Sequence, residues 1–113
     1  MSTDIKNIVI TSAVRSAIGT FRGSLKEMQA SDFGTLVVKA AIEKSNLNQS
    51  DIDELIMGQV LTASEGQNPA RQAAIKAGLP VEKTAYIINQ VCGSGLRSVA
   101  AGYQSILLND SKI

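Results

Sequence analysis

The residue best suited to covalent chemistry is Cys92, the only cysteine in a chain of 113 residues. It lies in the stretch NQVCGSGLRS, residues 89–98, between an apolar run that predicts a strand and a segment whose apolar spacing predicts a helix. At a helix start the N–H groups are unpaired and the dipole adds roughly half a positive charge, which would stabilise a thiolate. Gly93 and Gly95 would let the backbone approach another group closely. The pattern predicts a nucleophile at a strand-to-helix turn, but free cysteine is also common in cores, and the residues alone leave both interpretations open.

The absence of histidine limits what Cys92 can do within this chain. A catalytic cysteine usually works with a general base, most often histidine, so we expect that base to lie outside these residues. A single cysteine excludes an internal disulfide and, without histidine, argues against a zinc site. Lys112 and Ile113 follow a turn and have the character of the first residues of another strand. We therefore expect the chain to stop as another element starts.

Composition and charge argue against several classes of partner. Hydrophobic residues make up 44% of the chain and charged residues 19%, and 11 basic against 10 acidic side chains give a net charge of +1. Because the basic residues are scattered, neither nucleic acid nor a membrane surface is expected as a partner. Residues 1–6 lack the features of a signal peptide, and no run approaches the roughly 18 apolar residues of a membrane helix. A cytoplasmic protein without a metal or bound cofactor is expected.

The elements that must position Cys92 begin with a predicted short strand at residues 7–11. A long connection over residues 12–30 follows, rich in glycine and charge. Apolar residues at helical spacing then predict a helix that has Ser31 as its N-cap and ends near Asn46.

The middle of the chain predicts a strand and a well-delimited helix. Ser50 and Asp53 resemble a capping box just before a predicted strand at residues 55–57. The next helix has Asn68 as its N-cap and Pro69 at its first position, continues over residues 70–77, and is terminated by Gly78. A third strand is then predicted, and its bounds are residues 85–88.

The last predicted helix starts at Cys92 and is apolar or small on nearly every side, which is typical of a buried central helix. Leu96, Val99 and Tyr103 share one face. The opposite face carries only small residues, namely Ser94, Ser98, Ala101, Gly102 and Ser105. Alternating strands and helices predict an α/β fold with a mostly parallel sheet covered by helices. Ligands bind such sheets at the C-terminal ends of the strands, where Cys92 is expected.

Two other glycine motifs match the same stretch only in part. Gly93 and Gly95 match the first two glycines of a dinucleotide-binding turn, but Ser98 stands where the third glycine is required. A hydrolase elbow also does not fit, because Cys92 and not glycine stands two residues before Ser94.

Three segments together resemble the thiolases, the family of acetyl-CoA acetyltransferases and 3-ketoacyl-CoA thiolases. Residues 89–98 are similar to the nucleophile segment of that family, and RSAIGTFRG at residues 15–23 is similar to its first long loop. MGQVL at residues 57–61, with GQNPARQAA at residues 66–74, is similar to the second loop. The resemblance covers nearly the whole chain in collinear order. It implies a thiolase-like fold built from two similar α/β halves, in which residues 1–113 form the N-terminal part of the N-terminal domain.

The resemblance implies an acyltransferase that condenses two acetyl-CoA molecules to acetoacetyl-CoA and CoA, and that cleaves 3-ketoacyl-CoA in reverse. Cys92 would be the nucleophile that carries the acyl group as a thioester, and its backbone N–H would help to form the oxyanion hole. The later Gly-His-Pro histidine, the second cysteine and the CoA-binding loop of the family have no counterpart in residues 1–113. This stretch alone is therefore expected to be inactive and poorly soluble.

The same resemblance implies a homodimer or homotetramer, with residues 67–71 near the subunit interface beside the active site. Acyl-CoA would be the substrate, and no cofactor would be needed. Two alternatives remain at this point. One is a related condensing enzyme such as a ketosynthase, and the other is a non-catalytic thiolase-like protein that binds acyl-CoA or lipid.

Overall fold

Three helices alternate with two strands in the computed structural model, which describes residues 6–113. The elements are α1 at Ala30–Lys44, β1 at Glu54–Gly58, α2 at Pro69–Ala77, β2 at Thr84–Ile88 and α3 at Ser94–Leu107, with a 3-10 turn at Gln49–Asp51 before β1. The first five residues, on which the signal-peptide prediction depends, lie outside the described part. The predicted α/β class is confirmed.

The two strands form a parallel pair, as predicted for a sheet with helical crossovers. Their register runs from Glu54 opposite Thr84 to Gly58 opposite Ile88. Successive strand residues point to opposite faces, so Leu55 packs against the α1–α2 side while the Glu54 carboxylate accepts a hydrogen bond from α3. Helices therefore cover both faces of the sheet, and the C-terminal ends of both strands lie together.

The buried core lies between α1, α2 and the sheet, and small residues make it thin. A Cβ added to the buried Gly34 of α1 would lie 2.6 Å from the Met57 methyl carbon and 3.1 Å from the Ala73 methyl carbon. The helices can therefore approach each other and β1 closely. The core residues are Ile42, Ala74, Ala77 and Leu79, with Ala70 and Ala73 also buried in α2.

The start of α1 differs from the prediction that Ser31 is its N-cap. The helix begins at Ala30 with Gln29 in the cap position, and Ser31 is buried at 1% exposure. Lys76 of α2 donates a hydrogen bond to the Ser31 hydroxyl at 2.9 Å and forms an ion pair with Asp32 at 2.8 Å. Ser31 therefore joins two helices instead of capping one.

The strand predicted at residues 7–11 is not present in the structure. Val9 is 72% exposed and Ile10 77% exposed, and no strand of the described residues pairs with this segment. Three consecutive β-branched residues favour extended backbone, but a strand also requires a neighbour that completes its hydrogen bonds.

The capping box is also displaced from its predicted position at Ser50 and Asp53. Asn48 is the N-cap of the 3-10 turn, and its backbone N–H donates to the Asp51 carboxylate at 2.8 Å. Asp53 instead accepts hydrogen bonds from Lys83 at 2.9 Å and from the backbone N–H of Lys112 at 2.8 Å. These two bonds are the main reason why the pKa of Asp53 is lowered to about 2.

The punctuation of α2 follows the prediction. The Asn68 side chain accepts a hydrogen bond from the Arg71 backbone N–H at 3.2 Å, and Pro69 occupies the first helical position. Gly78 ends the helix with φ 88, a left-handed conformation that glycine adopts without steric cost.

The predicted burial of α3 is wrong for the described residues. Leu96 is 79% exposed and Val99 54% exposed, and Ser94 is the one buried residue of the helix. The small-residue face lies on the sheet side instead, where the Ser105 hydroxyl donates to Glu54 and the Ser94 backbone lies against Gly58. Its large apolar face points away from the sheet and meets no other element of residues 6–113 closely enough to be buried.

None of the helices in the described part is long and apolar enough to span a membrane.

Candidate active site

Cys92 lies in the five-residue connection between β2 and α3, at the C-terminal end of the parallel strand pair. Its thiol is free and exposed. The helix begins at Ser94 with Gly93 as the N-cap, and not at Cys92 as predicted. The connection is wound into turns that occupy the N–H groups of Gly93 and Ser94, which donate to Gln90 and Val91 carbonyls at 2.9 and 3.1 Å. Cys92 thus stands two residues ahead of the helix, at its positive end.

The residue before Cys92 has a strained backbone. Val91 has φ 48, in the left-handed region that a β-branched residue rarely adopts. Such a conformation costs about 1–3 kcal/mol and persists only where its surroundings determine it. The Asn89 side-chain oxygen accepts a hydrogen bond from the Val91 N–H at 2.9 Å. The Asn89 side chain therefore supports the strained backbone that leads into Cys92.

Ser94 supplies the other support and was missed as a functional residue by the sequence analysis. Its side chain is buried, with the residue 3% exposed, and its hydroxyl donates to the Val91 carbonyl at 2.6 Å. The same oxygen accepts a hydrogen bond from the Gln90 N–H at 2.8 Å. The sequence feature that could have predicted this role is a serine in the first turn of a helix, where the hydroxyl can form hydrogen bonds with nearby backbone groups.

Gly58 is the glycine whose missing side chain matters most for this site. A Cβ there would lie 2.5 Å from the Ser94 carbonyl carbon and 2.6 Å from the Gly95 nitrogen. Because real Cβ atoms do not approach backbone so closely, only glycine lets the end of β1 contact the first turn of α3. Gly95, for which a close approach was predicted, has no described atom within 4 Å of its added Cβ. The contact between β1 and α3 therefore requires a glycine at position 58, whereas the side-chain position of Gly95 is open.

The cationic side chain of Arg97 contacts the turn. The Arg97 side-chain Nε donates to the Gln90 side-chain oxygen at 2.6 Å, and this hydrogen bond joins the first turns of α3 to the connection that precedes the helix. A depression of about 260 Å³ lies on this side, lined by Gln90, Gly93, Leu96, Arg97 and Ala100. Cys92 is not among the residues that line it. Within residues 6–113 no cluster of metal-ligating side chains was found.

Residues 67–71, which the resemblance places near a subunit interface, tie the start of α2 to the segment leading into β2. The Arg71 guanidinium donates to the Lys83 and Val81 carbonyls, each at 2.8 Å. The Asn68 side-chain amide donates to the Ala85 carbonyl at 2.9 Å. These side chains therefore fix the start of β2, the strand that leads into the Cys92 turn, to the start of α2.

The chain matches known proteins over nearly its whole length. The family described as "Thiolase, N-terminal domain" matches residues 8–113. An acetyl-CoA acetyltransferase of Rhizobium meliloti is 53% identical over 95% of this chain and 27% of its own length. One of Escherichia coli is 54% identical over 90% of this chain and 26% of its own length.

A solved structure is similar in fold as well as in sequence. A thiolase from Ascaris suum, crystallised in complex with coenzyme A, superposes with a TM-score of 0.86 at 42% identity. The similarity covers 88% of this chain and 26% of that one. The chain thus spans about a quarter of the length of the relatives that it matches.

Proposed function

Because the chain belongs to the thiolase family through its N-terminal domain, we propose that the whole protein is an acetyl-CoA acetyltransferase that uses Cys92 as its nucleophile. The overall reaction joins two acetyl-CoA molecules into acetoacetyl-CoA and free CoA, and runs in reverse as thiolysis. The observation that carries the proposal is the exposed Cys92 thiol at the C-terminal end of the parallel strands, in a segment similar to acetyltransferases along its length.

In the first step the Cys92 thiolate attacks the thioester carbonyl of one acetyl-CoA. A tetrahedral oxyanion forms and collapses, the CoA thiolate leaves and takes up a proton, and the acetyl group remains on the Cys92 sulfur. The Cys92 backbone N–H is proposed as one donor to the oxyanion, since it lies at the positive end of α3.

In the second step another acetyl-CoA loses a proton from its α-carbon, and the resulting carbanion attacks the acetyl carbonyl on Cys92. The new carbon–carbon bond forms as the carbon–sulfur bond breaks, which releases acetoacetyl-CoA and regenerates the thiolate. The bases for both steps are expected from parts of the protein beyond this chain, since residues 1–113 contain no histidine and no second cysteine.

We place residues 1–113 in the N-terminal part of the N-terminal domain of such an enzyme, because the relatives are about four times as long. A cytoplasmic homodimer or homotetramer is proposed, with no cofactor other than the CoA thioester that serves as substrate. The names of the relatives favour the acetyltransferase over a ketosynthase or a non-catalytic lipid-binding protein.

Labelled acetyl-CoA tests this proposal on the complete protein. We expect the label on the peptide that contains Cys92, and we expect Cys92→Ala to lower thiolysis by at least about a thousandfold. Thermal unfolding of Cys92→Ala should stay close to that of wild type, because the substitution removes a single heavy atom from a side chain that is exposed in residues 6–113. Label on another residue, or no label at all, would refute the role of Cys92.

A further inference from the structure

Ser94 is distinguished from the other serines of α3 by what its hydroxyl binds. The Ser98 hydroxyl donates to Gly95 within the helix, and that of Ser105 donates to the Glu54 carboxylate. Only the Ser94 hydroxyl reaches back into the turn, where it donates to the Val91 carbonyl at 2.6 Å and accepts from the Gln90 N–H at 2.8 Å. Since the residue is 3% exposed, water does not readily replace these bonds.

Val91 is held at both of its backbone polar groups by side chains. Asn89 accepts from its N–H at 2.9 Å, and the Ser94 hydroxyl donates to its carbonyl. With φ 48, this β-branched residue would otherwise relax to negative φ. Because Val91 directly precedes Cys92, its backbone angles set the direction in which the chain leads into Cys92.

The two supporting residues, Asn89 and Ser94, also contact β1 and the segment that follows it. The Asn89 amide donates to the Val60 carbonyl at 3.1 Å. The Ser94 backbone rests on Gly58, where an added Cβ would lie 2.6 Å from the Ser94 carbonyl oxygen. The turn is thus anchored to the neighbouring strand at two points.

We propose that Ser94 and Asn89 are positioning residues that hold Val91 in its left-handed conformation and so align the Cys92 thiol with the acyl carbonyl. The proposal rests on the proposed role of Cys92 as the nucleophile. Neither side chain is expected to touch the reacting atoms, because both are already bonded to backbone groups of the turn. A misplacement of about 1 Å at a reacting atom can cost about a hundredfold in rate.

Two rates measured on the complete protein separate alignment from exposure. Single-turnover acylation by acetyl-CoA requires an aligned thiolate, whereas alkylation by iodoacetamide requires only an accessible and ionised one. The variants are Ser94→Ala, Asn89→Ala and Asn89→Asp. The control is Thr35→Ala, which removes a hydroxyl that bonds to the Ser31 carbonyl at 2.7 Å within α1.

Ser94→Ala and Asn89→Ala are expected to acylate at least about tenfold more slowly, with alkylation and the KM for acetyl-CoA within about threefold of wild type. Asn89→Asp keeps an oxygen that accepts the Val91 N–H but loses the amide that donates to the Val60 carbonyl, so it should recover only part of the acylation rate. Thr35→Ala should match wild type in both rates.

The proposal is overturned if Ser94→Ala and Asn89→Ala acylate at the rate of Thr35→Ala. Acylation and alkylation that fall together would also overturn it, because the turn as a whole would then be lost. If Ser94→Ala does not fold, the two Asn89 variants decide the question. A wild-type protein that is alkylated on Cys92 but never acylated there would instead refute the proposed function, and this inference with it.

Discussion

The two sides of the sheet are stabilised in different ways. On one side α1 and α2 enclose a core of small and aliphatic residues such as Ala74 and Leu79, with Leu79 4% exposed. On the other side α3 buries one serine, while its apolar face stays exposed. The turn ahead of α3 is held by side-chain hydrogen bonds to backbone and includes a strained valine. Apolar burial therefore fixes the scaffold, whereas polar contacts fix the position of Cys92.

The largest effect expected from this contrast concerns two leucines. Leu79→Ala should destabilise the chain by about 2–4 kcal/mol, because it leaves a cavity in the α1–α2 core. Leu96→Ala should change the free energy of unfolding by less than about 0.5 kcal/mol, because Leu96 is 79% exposed. Urea unfolding of residues 1–113 measures both, with a fused solubility tag because this stretch alone is expected to be poorly soluble.

Equal costs for the two leucines would contradict the contrast. The same pair of substitutions in the complete protein sharpens it further. A cost for Leu96→Ala that rises there to about 2 kcal/mol would mean that another part of the protein covers the exposed face of α3.

The next effect concerns two glycines beside α3. Gly58→Ala should cost about 1–3 kcal/mol, because its Cβ would clash with the Ser94 and Gly95 backbone. Gly102→Ala is the matched control, since its Cβ meets no described atom within 4 Å, and alanine favours a helix by about 1 kcal/mol. Chemical unfolding measures the free energy of unfolding of both variants. No loss of stability in Gly58→Ala would mean that the end of β1 does not contact the start of α3 closely.

The smallest effect is electrostatic and lies away from the Cys92 turn. The pKa of Asp53 is lowered from 3.8 to about 2, first by the hydrogen bond from Lys83 and then by that from the Lys112 N–H. Because its pKa is lowered on folding, the Asp53 carboxylate stabilises the folded state above about pH 4, and this contribution is lost as the pH falls from about 4 to about 2. Because the pair is partly exposed, we expect a contribution of about 1 kcal/mol at neutral pH.

Asp53→Asn should therefore unfold more easily than wild type at pH 7, and most of the difference should be lost by pH 2. Unfolding across this pH range provides the measurement, and a double-mutant cycle with Lys83→Met isolates the pair. A difference that persists unchanged at pH 2 would show that the carboxylate charge is not its source.

Local signals predicted the elements whose causes are local. The bounds of α2 followed from Asn68 and Gly78, because caps act within one turn of the helix that they end. The α/β class followed from the alternation of periodic segments. The strand predicted at residues 7–11 failed because a strand needs a partner, and the N-cap prediction for Ser31 failed because Lys76 recruits that hydroxyl from another helix.

The candidate site divides in the same way. Cys92, its turn between β2 and α3 and the similarity to thiolases could be read from residue types and spacing. The supports of that turn could not. Asn89 and Ser94 act through hydrogen bonds whose partners depend on how the turn is wound, and Gly58 lies more than 30 residues away from the helix that it contacts.

The sequence by itself therefore determined which residue is the candidate nucleophile and between which elements it lies, because residue chemistry and periodicity are properties of short segments. Only the tertiary structure decided that α3 begins two residues after Cys92, that Val91 is strained, and that Gly58 at the end of β1 meets the backbone of Ser94 and Gly95. These features depend on the distance between a helix and a strand that are far apart in the chain, and that distance is set by packing.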